Sequence, residues 1–224
     1  MMCWKLYLVF RRCSFMKKRK EQKIMSRNMS VLPNILEETS RGTQSIRIED
    51  DLLRKREIFF TTEVDSQSSA DLLKQLIYLE RVDEGKPIML YISSLGGEVT
   101  SGLAVYDYIR MMKSPVTTVC IGTAASMGAI LFLAGEERKM LSHTKVMIHD
   151  PSYGHATMEG MKPLEIKDRL EGLMKSRKIL AEIIAERSGM TLRQVYAKTR
   201  RDSYLNAEEA VKLGVATEIL REEV

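Results

Sequence analysis

The feature that most limits how this chain can fold is a repeated change of hydrophobic period, from short apolar runs to helical spacing, with glycine at each changeover. Ile88–Ile92 is a short apolar run, Gly96-Gly97 interrupts it, and Leu103, Tyr106, Ile109 and Met112 then recur at helical spacing between Val99 and Lys113. Pro115 ends that helix, and Val116–Ile121 is rich in β-branched residues and reads as a strand. Gly122 closes it, and Ala124–Ala134 reads as a helix of small residues. Upstream, Ser66 caps a helix to about Arg81, with Leu72, Leu73, Leu76, Ile77 and Leu79 clustered on it, and Asp83–Pro87 is a turn. Downstream, Lys145–Ile148 is a further strand. Leu170, Leu173, Met174, Leu180, Ile183 and Ile184 fall on one broad face of a long helix ending near Ser188-Gly189. Thr191 with Gln194, and Asn206 with Glu209, have the form of helix starts, and Gly214 suits a helix end. Strands alternating with helices predict an α/β fold with a mostly parallel sheet. Ligands in such sheets sit at the carboxyl ends of strands. That rule points to Ser93–Gly97, Gly122–Gly128 and the segment after His149.

Composition narrows the function classes. The chain has 224 residues, 44% apolar and 29% charged, enough for one sizeable core and incompatible with disorder throughout. No run approaches the ~18–20 apolar residues of a spanning helix. Cys3, Cys13 and Cys120 are scattered, which excludes a disulfide scaffold or a Cys-type zinc site and fits a reducing cytoplasm. The net charge of +5 belongs to the head of the chain. Residues 1–30 hold nine Lys or Arg against Glu21, leaving 35 − 9 = 26 basic and 30 − 1 = 29 acidic residues in the rest. The body is therefore mildly acidic and carries no nucleic-acid footprint. The expected organisation is a disordered basic extension over residues 1–30 and one domain over residues 31–224.

Three residue types could carry chemistry. Ser126 lies at a strand-to-helix turn among Ala124, Ala125, Gly128 and Ala129, where small neighbours admit a substrate backbone and the helix aims free N–H groups outward. It is either a nucleophile beside an oxyanion site or a helix cap in a tight turn. A serine nucleophile needs a base. His149 directly follows the run Val146-Met147-Ile148, whereas His143 and His155 fall in polar loops, and no two histidines have helical metal-ligand spacing. Asp202 follows Arg200-Arg201, where a surface ion pair is the plainer role. Gly96-Gly97 could turn backbone N–H groups toward the same place. Together these residues allow a Ser–His–Asp arrangement.

From Val31 onward the chain resembles the ClpP family, the proteolytic subunits of ATP-dependent Clp proteases. The resemblance runs through Glu38–Gly42, Tyr91–Gly97 and Gly102–Asp107, is sharpest at Ala124–Ala129 and Met147–His149, and closes with Arg201–Leu205 and Ala207–Ala210. It implies a ClpP/crotonase-like fold of repeated β-α units with a protruding helical handle through Leu170–Ile184. It implies Ser126 as nucleophile, His149 as general base, Asp202 as the acid orienting it, and the N–H groups of Gly97 and Met127 as an oxyanion hole. It implies a homo-oligomer of two stacked heptameric rings, fed with unfolded proteins by a Clp-type AAA+ unfoldase of the ClpX, ClpC or ClpA kind. ATP would be spent by that partner, no cofactor or metal being expected in this chain, which lacks a G-x-x-x-x-G-K-[ST] motif. No nucleic acid or membrane partner is expected. The chain departs from the family pattern at Leu95, where proline is usual, and at Asp150–Gly154, where Gln-Pro and a glycine pair are usual. Segments flanking His149 also differ in length, slightly shorter before it and longer after it. Those departures leave two other readings open: a weakly active structural subunit working with a second ClpP paralogue, or a crotonase-like acyl-CoA enzyme.

Overall fold

The structure, a computed structural model, describes residues 34–39, 42–153 and 160–221. The basic stretch 1–30, Ser40 and Arg41 of the Glu38–Gly42 motif, and Gly154 and His155 after the candidate base lie outside the described residues. The chain divides into two compact units between Asp51 and Leu52. The first holds β1 (Asn34–Thr39) paired antiparallel with β2 (Gly42–Arg47), in register from Asn34↔Arg47 to Thr39↔Gly42. Helix α1 (Ile48–Arg54) crosses the division.

The second unit is built on a seven-stranded sheet. Strands β3 (Glu57–Phe60), β4 (Ile88–Ser94), β5 (Val116–Ala125), β6 (Glu137–Leu141) and β9 (Glu218–Leu220) lie side by side in that order, all parallel. β7 (Lys145–Ile148) also pairs parallel with β5, and β8 (Ser203–Asn206) pairs antiparallel with β7. The expected α/β fold with a mostly parallel sheet is therefore present, with one antiparallel strand added at the β7 edge.

Strand β5 is the centre of this arrangement. Thr117–Cys120 pair with β6, and Thr123–Ala125 pair with β7. The expected break at Gly122 is corrected, because the strand runs on to Ala125. The glycine is there for close approach: a Cβ on Gly122 would stand 2.4 Å from Ser93 Oγ on β4.

The helices follow the apolar spacing. Helix α2 (Ser66–Val82) buries Leu72, Leu76 and Leu79, and its cap is Asp65 rather than Ser66, locked by reciprocal bonds with Ser68. α3 (Val99–Met111) buries Val105, Tyr106 and Ile109. α4 starts at Met127, three residues later than its small-residue run suggested, and all eight residues to Ala134 are buried. A helix apolar on every side can only sit inside a core. α5 (Pro163–Arg187) is about 37 Å long at 1.5 Å per residue. Its apolar face is divided rather than uniform: Leu180, Ala181, Ile183 and Ile184 are buried, whereas Leu170 and Met174 are about half exposed. The first two-thirds of α5 thus extends beyond the core, as a handle would. α6 (Leu192–Thr199) and α7 (Ala207–Lys212) follow, each opened by the expected capping box, from Thr191 with Gln194 and Asn206 with Glu209.

Candidate active site

The site forms where β4, β5 and β7 end. Ser126 is the junction between β5 and α4, and its backbone has φ 53° and ψ −121°. A positive φ on a residue with a side chain is sparsely populated and costs of order 1–3 kcal/mol. The conformation is held by Ser126 N–H donating to the Met147 carbonyl at 2.9 Å, while its own carbonyl accepts from Ala129 and Ile130. Its side chain makes no capping bond. The hydroxyl is therefore left to face His149, which stands one residue beyond β7.

His149 Nε2 lies 2.8 Å from Ser126 Oγ. Its Nδ1 lies 3.3 Å from Asp202 Oδ1, the imidazole being 25% and the carboxylate 61% exposed. The second contact follows from strand register. β7 and β8 run antiparallel with Ile148 opposite Ser203, so the next residues, His149 and Asp202, fall opposite each other. The pairing of Asp202 with an arginine, the plainer sequence expectation, gives way to this contact with the imidazole. The carboxylate contact is long for a charged hydrogen bond, and such contacts in unliganded sites often tighten when substrate binds.

Gly96 and Gly97 close around the same point. Both have positive φ, at 97° and 146°. A Cβ on Gly96 would stand 2.6 Å from Ser126 Cβ, and one on Gly97 would stand 2.1 Å from the Val64 carbonyl oxygen. Only glycine fits either position. A parallel bridge joins Gly97 to Val64, with Val64 N–H donating to Gly96 O at 2.8 Å and Glu98 N–H donating to Val64 O at 2.7 Å. That pattern turns the Gly97 N–H away from Val64. Met127 opens α4, so its N–H is among the first four of the helix, which have no acceptor one turn back.

Gly97, Ser126, Met127 and His149 line one cleft of about 640 Å³. Its apolar wall is Ile130, Leu173, Leu180 and Ile184, and its mouth carries Glu63, Asp65 and Glu98. Leu173 and Leu180 come from α5, so the handle helix forms one side of the cleft. The spacing around Ser126 and His149 marked these residues from the sequence. Tyr153 and Pro151 also line the cleft, in the segment after His149 to which the strand-end rule pointed. Val64 was not anticipated; it lies on a loop whose only sequence signal is one apolar residue between two acids. Among the described residues, no group of three or more His, Cys, Asp or Glu could hold a metal ion, and no helix is long and apolar enough to cross a membrane. His143 is exposed in the turn before β7.

An α/β unit with serine, imidazole and carboxylate in line at the carboxyl edge of its sheet, over an apolar cleft, defines a hydrolase-like class. The family model for Clp protease matches residues 40–223. The chain belongs to the Clp protease family, and it is a ClpP-like peptidase.

Proposed function

We propose that this chain is a serine endopeptidase of the Clp type, acting in the cytoplasm on unfolded proteins. The observation that carries the proposal is the 2.8 Å approach of His149 Nε2 to Ser126 Oγ, with Asp202 at the other ring nitrogen. Ser126 Oγ attacks the peptide carbonyl as His149 takes its proton, and His149 then gives a proton to the leaving amine. Water attacks the acyl-enzyme in a second round through the same base. Asp202 holds the imidazole with Nδ1–H toward it, so that Nε2 is the accepting nitrogen. The N–H groups of Gly97 and Met127 stabilise the negative charge on the carbonyl oxygen. The apolar wall of the cleft favours an apolar side chain next to the cleaved bond.

The finer properties rest on the resemblance and on family membership. The subunits assemble as two stacked heptameric rings around a chamber, and a Clp-type AAA+ unfoldase of the ClpX, ClpC or ClpA kind feeds it. ATP is hydrolysed by that partner, and this chain needs no cofactor. The half-exposed apolar residues of α5 support a subunit contact there.

A fluorophosphonate probe should label Ser126 of the purified protein, and Ser126→Ala should abolish both labelling and cleavage of an unfolded substrate. Cleavage at an unchanged rate in that variant would overturn the serine mechanism. Native mass measured on the same sample tests the double ring, since a monomer at working concentration would remove the chamber.

A further inference from the structure

We propose that Arg177, on the handle helix, is a positioning residue for the hydrolytic centre, acting through Asp150; this rests on the reading of Ser126, His149 and Asp202 given above. Asp150 follows the candidate base directly in the chain. Its carboxylate accepts from Arg177 Nε at 2.8 Å, and its N–H donates to the Thr199 carbonyl at 2.7 Å. The Arg177 and Asp150 side chains are 27% and 31% exposed, so the pair is shielded. The ion pair Lys167–Glu171 on the same helix is 68% and 57% exposed, a solvated surface contact. The Arg177 guanidinium also lies over the Tyr196 ring of α6, 4.4 Å from its centroid.

These contacts join the two arms of the site. One arm is β7, which ends at Ile148 and continues into His149 and Asp150. The other is α6, which ends at Thr199, three residues before Asp202. Arg177 touches both, through Asp150 on one side and Tyr196 on the other. The Nδ1–Oδ1 contact between the arms is 3.3 Å, just beyond the range of about 2.7–3.2 Å in which N–H···O hydrogen bonds form. There is little slack, so a small relative shift of the arms disengages Asp202. Loss of Arg177 would also strand a two-thirds-buried carboxylate one residue from the imidazole. An uncompensated charge of this kind is destabilising, and the strain falls on the segment that carries His149. The planar guanidinium supplies both the bond to Asp150 and the face stacked on Tyr196, which a lysine does not reproduce.

The test is a double-mutant cycle on the full chain in its native assembly, using Arg177→Met, Asp150→Ala and both together, with Arg177→Lys alongside. Four quantities are measured: the rate at which a fluorophosphonate labels Ser126, kcat and KM on a short peptide, and Tm. Misplacement of reacting groups costs rate steeply, so Arg177→Met should lower labelling and kcat by about tenfold or more with KM within about twofold. Arg177→Lys should recover part of that loss. In the Asp150→Ala background, Arg177→Met should cost less than about twofold, because the residue acts through that carboxylate. If Arg177→Met fails to fold, Asp150→Ala alone should show the tenfold loss. A wild-type labelling rate in Arg177→Met or in Asp150→Ala overturns the proposal, as does an equal Arg177→Met loss in both backgrounds. A wild-type protein that the probe never labels instead overturns the serine mechanism itself, and the coupling with it.

Discussion

Gly97→Ala tests the link between backbone packing and chemistry most sharply. A methyl group there would begin 2.1 Å from the Val64 carbonyl oxygen, and Cβ atoms essentially never approach a neighbour within 3.0 Å. Relief needs 3.0 − 2.1 = 0.9 Å of movement against backbone, not a flexible side chain. The φ of 146° adds strain, since residues other than glycine rarely occupy it. Strain of this kind costs of order 1–3 kcal/mol. At about 2–4 °C per kcal/mol for a domain of this size, Tm should fall by roughly 2–12 °C. The larger effect is on rate. A shift of nearly 1 Å takes the Gly97 N–H out of bonding range of a developing oxyanion, and losing one such donor costs about 10²–10³ in kcat. The assay is steady-state hydrolysis of a fluorogenic peptide, with Tm and native mass measured at the same concentration. The expected pattern is a large fall in kcat, a small change in KM and an intact assembly. A variant that keeps wild-type kcat would refute the assignment of this amide to the oxyanion site.

Asp202→Asn should lower kcat by about 10²–10³, less than the ~10⁴ of an enclosed triad, because the Asp202 carboxylate is 61% exposed and water can replace part of its contact; an unchanged kcat would remove Asp202 from the mechanism. Glu80 gives a pH-dependent stability test. Burial pushes its carboxyl up, but bonds from Ser114 and from the main-chain N–H of Lys113 and Ser114 outweigh that and hold it below the usual carboxylate range. A lowered folded-state pKa stabilises fully above the unfolded value and is lost as pH falls through the folded one. Glu80→Gln should therefore lower stability by under about 1 kcal/mol at neutral pH, and the gap in Tm should narrow below about pH 4; a gap constant across that range would refute the account.

Much of the fold was legible because its strands and helices carry long, regular patterns. β4, the Gly96-Gly97 turn, α3 and β5 combine apolar patterning with a glycine or proline boundary. β7 and the base after it were readable from the apolar run Val146-Met147-Ile148 alone. β8 was not. It has four residues, of which only Leu205 is buried, so no alternation exists to read. Yet β8 alone brings Asp202 opposite His149, through its register with β7. β3, β6 and β9 are similarly short, and pairing along the sheet decides them rather than local pattern. The apolar residues of the handle helix were read as one broad face, but helical spacing shows only that a stripe exists, not how far the core reaches along it. Asp150 was visible as a departure from the family pattern, while its partner Arg177, 27 residues away in the chain, could be found only in space.

The twisted backbone at Ser126 carries a wider consequence. The peptide unit that presents the hydroxyl sits in a conformation that glycine would accept at lower cost, so the fold and the chemistry ask for different residues at one position. Rigidity elsewhere, in the buried α4 behind it and in the two close-fitting glycines facing it, keeps that conflict from relaxing. Reactivity in this subunit is thus sustained by a local discomfort that the rest of the core is stiff enough to enforce.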